Sequence, residues 1–450
     1  MANKLLVRAY NVGVGDCIYV HIPNGDDGFH ILIDCGTISR VDLLKNALKN
    51  LEDEMLPDAD EADKKRLDLL VATHRHRDHI KGFDPEYFEN IQIKNIWLSA
   101  AMDREHPQAE QANALHAAAT SAMREIEARG LALSLPLQLL VSMYSLQNDE
   151  AMKALREDLP QANGIEPVYV HADTPQNELS LPLTNATIRV LAPEKDIDGY
   201  YLGEEMDESL HAFQANQRTF TRRSTSVNEV FPGNISASDF HRLQSRMLSN
   251  ALAFAETDSS LQNNTSVVLL IEWQGRRLLF TGDAEWEGEF KEGKHNGNWN
   301  VMWKERTQHL REALDFLKIG HHGSINATPW DASREPDFEV NQILNHILPL
   351  PEGTQSPKAY ALASTQRTAV YKPIPAADLL VELGKRVRNT REYFDELSAI
   401  DLDFADKQPF EDYWEYETPQ ALKQPQPWRT DLEKLITGQA FVDVEIEPMD

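Results

Sequence analysis

A buried strand that stops at a cluster of metal-type ligands admits few architectures, and residues 67–79 have that form. Leu67-Asp-Leu-Leu-Val-Ala72 reads as a strand covered on both faces, and His74-Arg-His-Arg-Asp-His79 follows it after Thr73. Three histidines and one aspartate within six residues suit zinc, manganese or iron. On an extended segment the i, i+2 spacing turns the rings of His74 and His76 to one side; Asp78 and His79 then turn toward a second cation position. The competing account is a solvated polar loop, since His and Arg are common on surfaces. Ligand types this dense, directly after an apolar strand, argue against it.

Three further loops follow apolar runs and offer ligands of the right kind: Ile33-Asp-Cys-Gly36, Leu279-Phe-Thr-Gly-Asp283 and Lys318-Ile-Gly-His-His-Gly-Ser324. Singly each is weak; a lone aspartate such as Asp34 is usually a turn-former. Gly282 permits the sharp turn that a bridging carboxylate at Asp283 would need. In open α/β architectures sites gather at the carboxyl ends of strands, where all four loops would meet.

Strands are predicted over residues 5–12, 17–22, 29–34, 91–99, 186–192, 266–273, 277–280, 317–319 and 358–364. Helices are predicted over 41–55, 108–129, 132–157, 302–317 and 375–398. Strands and helices alternating in two halves predict a layered α/β sandwich. From 194 to 261 the sequence is polar and Ser/Thr-rich, with one helical stretch near 237–256, and reads as an insertion or lid. The expected division is a main domain over 1–372 and a helical, acidic extension over 373–450.

No run approaches the roughly 18 apolar residues of a membrane span. The N-terminus lacks the apolar core of a secretory signal. The two cysteines, Cys17 and Cys35, read as small core residues in a reducing compartment, so a cytoplasmic location is expected. A net charge of −28 weighs against broad, non-specific nucleic-acid binding. It leaves a phosphorylated substrate open, because a pair of divalent cations can invert the local field.

The order of these loops resembles the metallo-β-lactamase superfamily, whose His-x-His-x-Asp-His signature stands as His74-Arg-His-Arg-Asp-His79. More narrowly it is similar to the hydrolase domain of ComEC-type DNA-uptake proteins. That match is carried by Asn11-Val-Gly-Val-Gly-Asp16, Leu32-Ile-Asp-Cys-Gly36, Val190-Leu-Ala-Pro193, Asn264-Thr-Ser266, Leu279-Phe-Thr-Gly-Asp283 and His321-His-Gly-Ser324, with a looser echo at Ala361-Leu-Ala-Ser364. The resemblance implies an αββα sandwich with two divalent metal ions, Zn or Mn. It assigns His74 and His76 to site one, Asp78 and His79 to site two, and Asp283 to a bridging position. His321 completes site two, with His322 as the fallback, and Asp34 orients a ligand. One departure stands out. Where most members carry a third site-one histidine, this chain carries Asn264, a weaker ligand that would loosen the site or favour manganese. His171 and His211 are possible replacements, although an ordinary core or surface role suits each better.

The implied chemistry is hydrolysis by a water activated between two metals roughly 3.5–4 Å apart, with Asp78 orienting it or taking its proton. A phosphodiesterase or nuclease acting on a nucleotide or nucleic acid is the leading expectation. The alternatives are a hydrolase of amide, ester or lactone bonds, and a binding module with a structural metal site. Arg75 and Arg77 could grip phosphate oxygens; the preferred reading turns them away from the metals to pair with carboxylates. Arg218, Arg222 and Arg223 either steer a phosphate or balance Glu204, Glu205 and Glu208. Lys385, Arg386, Arg388 and Arg391 read as a solvated helix face.

Overall fold

The computed structural model describes residues 4–128, 135–175, 177–179, 181–203, 252–352, 357–364, 374, 376–387 and 440–449. Arg218, Arg222, Arg223, His211, Arg388 and Arg391 lie outside these residues, as does most of the stretch expected to be helical near 237–256. Within it, residues 252–264 form a helix that runs on to Asn264.

The first strands are β1 (Leu5–Tyr10), β2 (Cys17–Ile22), β3 (Phe29–Cys35), β4 (Lys65–Leu67), β5 (Leu69–Ala72), β6 (Ile91–Ile93), β7 (Ile96–Ser99) and β8 (Val168–Val170). Then come β9 (Ala186–Ala192), β10 (Val268–Trp273), β11 (Arg276–Phe280), β12 (Phe316–Lys318), β13 (Tyr360–Leu362) and β14 (Phe441–Ile446). One sheet has the order β14-β1-β2-β3-β5-β7-β8, a second has β13-β12-β11-β10-β9, and β4-β6 stand apart as a pair. β3, β5, β7 and β8 run parallel, as do β11, β12 and β13. Their carboxyl ends therefore share an edge within each sheet.

The chain is mixed α/β, and side-chain alternation builds its layers. Val7, Ile31, Leu69 and Trp97 from one sheet meet Leu269, Ile271, Phe280 and Phe316 from the other in a shared core. The intervening residues face outward. Leu32, Leu70 and Leu98 pack with Leu44 and Leu48 of helix Val41–Asn50. Leu270, Leu279 and Leu317 pack with Ile343, Leu344, Leu379 and Leu383 of helices Glu339–Ile347 and Ala377–Arg386. Strands covered on both faces have no polar side to show, which is why they read as continuous apolar runs. Each fully buried leucine stabilises the fold by about 1.5–3 kcal/mol.

Several boundaries differ from expectation. The run 67–72 breaks at Asp68, whose carboxylate accepts from the His30 amide at 2.9 Å while its own amide donates to the His30 carbonyl. Residues 91–99 likewise divide into β6 and β7. The helix expected over 302–317 runs from Asn298 to Leu310, and the following strand starts at Phe316. The described parts of 373–450 are not set apart from the layers: Leu379, Leu383 and Val387 enter the core, and β14 pairs with β1 from Leu5–Ile446 to Tyr10–Phe441. Arg386 is buried, not on a solvated face; it donates to Glu382 at 2.6 and 2.8 Å and to the Leu348 carbonyl at 2.8 Å. Lys385 pairs with the same Glu382. Among the described residues no helix is long and apolar enough to cross a membrane.

Candidate metal centre

The loops after β3, β5, β11 and β12 converge. Asp34 stands near the end of β3, and residues 73–76 lead from β5 to the short helix Arg77–Ile80, which carries Asp78 and His79. Gly36 lies against the backbone of Asp78 and His79, where any Cβ would collide. Gly282 turns the chain toward Asp283 at φ +52°, and a Cβ there would sit 2.9 Å from Ser266 Cβ. Asp34, His321 and His322 also hold positive φ, at 56°, 41° and 54°. Such strained non-glycine backbone is kept where the surroundings over-determine it, typically at functional positions.

Two groups of ligand atoms, each within 4.8 Å of one another, could hold metal ions: His74, His76 and Asp283, and Asp78, His79 and His322. A third, Asp16, His79 and Asp283, overlaps them. All seven residues are buried. Asp283 Oδ2 lies 3.7 Å from His74 Nε2 and 3.2 Å from His79 Nε2, so one carboxylate stands between the two groups. His322 Nε2 is 2.9 Å from Asp78 Oδ2. Of the adjacent pair it is thus His322, not His321, that joins the cluster. His321 turns to Glu285 at 3.0 Å and remains partly exposed, while its amide donates to Asp283 Oδ1 at 3.0 Å.

Asp34 supports the cluster from behind. It accepts from the Thr73 amide at 2.7 Å, the Thr73 hydroxyl at 2.7 Å and His79 Nδ1 at 2.8 Å. Nδ1 thereby carries a proton, and His79 Nε2 points into the cluster. Nε2 is buried and, though near Asp283, makes no aligned hydrogen bond. That orphaned ring nitrogen, with three carboxylates and three imidazoles around it, fits a cation.

Electrostatics point the same way. Burial opposes charge on His79, yet Asp283 and Asp34 outweigh it and hold the imidazole far above its ordinary value. Burial opposes charge on His321 too, but Asp283 and Glu285 lift it to about 9. Burial and the neighbouring His79 push His74 well down, and burial lowers His76. Despite burial, His79 and His321 hold Asp283 below the usual carboxylate range. Protons on His79 and His321 thus supply the positive charge these carboxylates require, and a bound cation would release protons in taking their place.

Asn264 has its side-chain oxygen and nitrogen both engaged by other partners. Its carbonyl oxygen accepts from the Asn298 amide at 2.8 Å and the Glu285 amide at 3.3 Å, and its amide nitrogen donates to the Ser260 carbonyl and Glu285. It spends its hydrogen bonds joining helix 252–264 to helix Asn298–Leu310. His171 caps its own turn by accepting from the Asp173 amide and stands outside the ligand groups. Arg75 donates to the Ala101 carbonyl, and among the described residues it has no carboxylate within salt-bridge distance. Among the described residues Arg77 also forms no ion pair within salt-bridge distance, and its Nε is buried without an acceptor.

Other contributors went unassigned in the sequence. Asp16, in the turn after β1, accepts from Lys318 at 3.0 Å and from Ser364, so one buried carboxylate joins the ends of β12 and β13 to the first sheet. Glu285 holds His321, Asn263 and Ser260. Ser259 lies 3.4 Å from His76 Nε2. Asp16 and Ser364 belong to the quoted motifs, but spacing alone does not reveal a contact across more than three hundred residues. The chain matches no protein-family model and no curated protein.

Proposed function

We propose that this chain is a binuclear metal-dependent hydrolase on an αββα sandwich of the metallo-β-lactamase type, acting on phosphodiester bonds of a nucleotide or nucleic acid. The observation that carries this reading is the pair of buried ligand groups meeting at Asp283, with His79 Nε2 directed between them, 3.2 Å from the Asp283 carboxylate. His74, His76 and Asp283 would hold one cation; Asp78, His79 and His322, with Asp283 shared, would hold the other. Two divalent cations supply Lewis acidity and bring a water's pKa toward neutrality, and they suit an in-line displacement with oxygens at both ends.

The chain's own residues do the remainder. Asp34 fixes the ring orientation and tautomer of His79. Asp78 orients the attacking water or takes its proton. His321, 3.0 Å from Glu285 and partly exposed, is placed to exchange a proton with the leaving oxygen. The insertion around 194–261 would govern access.

Metal analysis of the purified chain, followed by assays on bis-p-nitrophenyl phosphate, cyclic nucleotides, single-stranded DNA and a lactone panel, tests this. Two equivalents of metal and phosphodiester turnover lost in Asp283→Asn are expected. Turnover of lactones alone would replace the substrate class. Less than one equivalent, with no turnover in added manganese, would overturn the enzyme reading.

A further inference from the structure

A second feature lies on the opposite side of the His-rich loop. Arg75, between two of the ligand residues, lines a cavity of about 570 Å³ together with Arg104, Arg124 and Arg156. Four guanidiniums around one cavity are unexpected in a chain of net charge −28. The volume falls within the roughly 300–1,000 Å³ of small-molecule sites. Met143 and Tyr144 supply an apolar wall.

Little on the protein balances this charge. Arg124 pairs with Asp149, the one carboxylate in the lining. Arg75 is 6% exposed and donates to the Ala101 carbonyl; Arg156 donates to the Met102 carbonyl and bonds the Tyr169 side chain. The Nε atoms of both are buried without acceptors. Among the described residues Arg75, Arg104 and Arg156 have no carboxylate within salt-bridge distance, and they lie close enough to repel one another. Nearby Asp258 is already committed to His116 and Tyr144, each at 2.8 Å. Keeping like charges together around a void costs free energy that an anion in the void would recover. A planar fork with free N–H groups matches phosphate oxygens better than any other common anion donor.

We infer that this cavity binds a multiply charged phosphate ester of nucleotide size, held by Arg75, Arg104 and Arg156 beside the metal cluster. The inference extends the proposed function by naming where the anionic part of a ligand rests, but the binding itself requires no metal. Met143 contacts Ser259, which in turn reaches His76, so by this route two side chains stand between an occupant and the ligand set.

Titration calorimetry of the full chain in excess chelator, with inorganic pyrophosphate and then ADP, separates this from the metal chemistry. Saturable binding is expected in chelator for wild type. Arg104→Ala, which removes an exposed side chain, should weaken it about tenfold, the effect of one charge-assisted hydrogen bond. The double variant Arg104→Ala/Arg156→Met should abolish it, with an unchanged circular dichroism spectrum showing that the fold survives. Binding that occurs only after metal is added would overturn the cavity assignment while leaving the hydrolase reading intact. Binding indifferent to Arg104, or absent altogether, would also overturn it. Saturable binding in chelator by a chain that hydrolyses nothing would uphold the cavity and sink the enzyme.

Discussion

Asp34→Asn is the substitution that most directly tests how the cluster is organised. Asp34 is 1% exposed, and its two oxygens accept three hydrogen bonds, from both donors of Thr73 and from His79 Nδ1. Asparagine keeps the shape and tolerates the positive φ of 56°. It also replaces one acceptor oxygen with a donor. Facing that NH2, His79 must accept at Nδ1 and carry its proton on Nε2, the nitrogen required for the cation. Loss of a charge-assisted acceptor should cost about 1.5–3 kcal/mol of stability. The wrong tautomer should lower cation affinity by about 10–100-fold, as removing a ligand-orienting partner commonly does. Asp34→Ala leaves all three donors unmet and adds about 1–2 kcal/mol for a left-handed alanine, so it should mostly fail to fold. The assay pairs urea unfolding in chelator with zinc and manganese affinities from competition against a chromophoric chelator. An Asp34→Asn protein that folds and binds either metal as tightly as wild type would refute the tautomer argument.

Further consequences concern stability. Asn264→His should destabilise by about 2–3 kcal/mol without tightening metal binding, because Asn264 holds Glu285 and Asn298; urea midpoints and chelator competition read both effects. Lys318→Met should cost about 3–5 kcal/mol by stranding the buried Asp16 carboxylate, and Asp16→Asn/Lys318→Met should recover part of that loss in the same unfolding assay. His30 accepts from the Tyr19 hydroxyl at Nδ1 and donates to the Asp27 carbonyl at Nε2; burial holds it at about 4, below its unfolded value. The unfolded chain therefore takes the proton first as pH falls. The contribution of His30 is complete above about pH 6.5 and is lost toward pH 4, worth about 3 kcal/mol. Unfolding midpoints at pH 7.5 and 5 should fall less for His30→Gln than for wild type; equal falls would exclude His30 as the source.

The mixed α/β class and the order of four ligand loops were legible without coordinates. Strands buried on both faces must be apolar throughout, and ligands must follow them at their carboxyl ends; both are local patterns in the chain. Helix Glu339–Ile347 is a local pattern too, with Val340, Ile343, Leu344 and Ile347 buried at helical spacing, though it is not among the predicted helices. The break at Asp68 and the return of β14 to the β1 edge follow from pairing with distant segments, which leaves no local trace. For the same reason only the tertiary structure separates His322 from His321. They are identical neighbours between glycines, and the backbone turn that sends one to Asp78 and the other to Glu285 is set by what surrounds them. Asn264 and Arg386 show the same limit. Residue type states what a side chain can bond to, but burial and partners brought from elsewhere decide whether it becomes ligand, strut or surface.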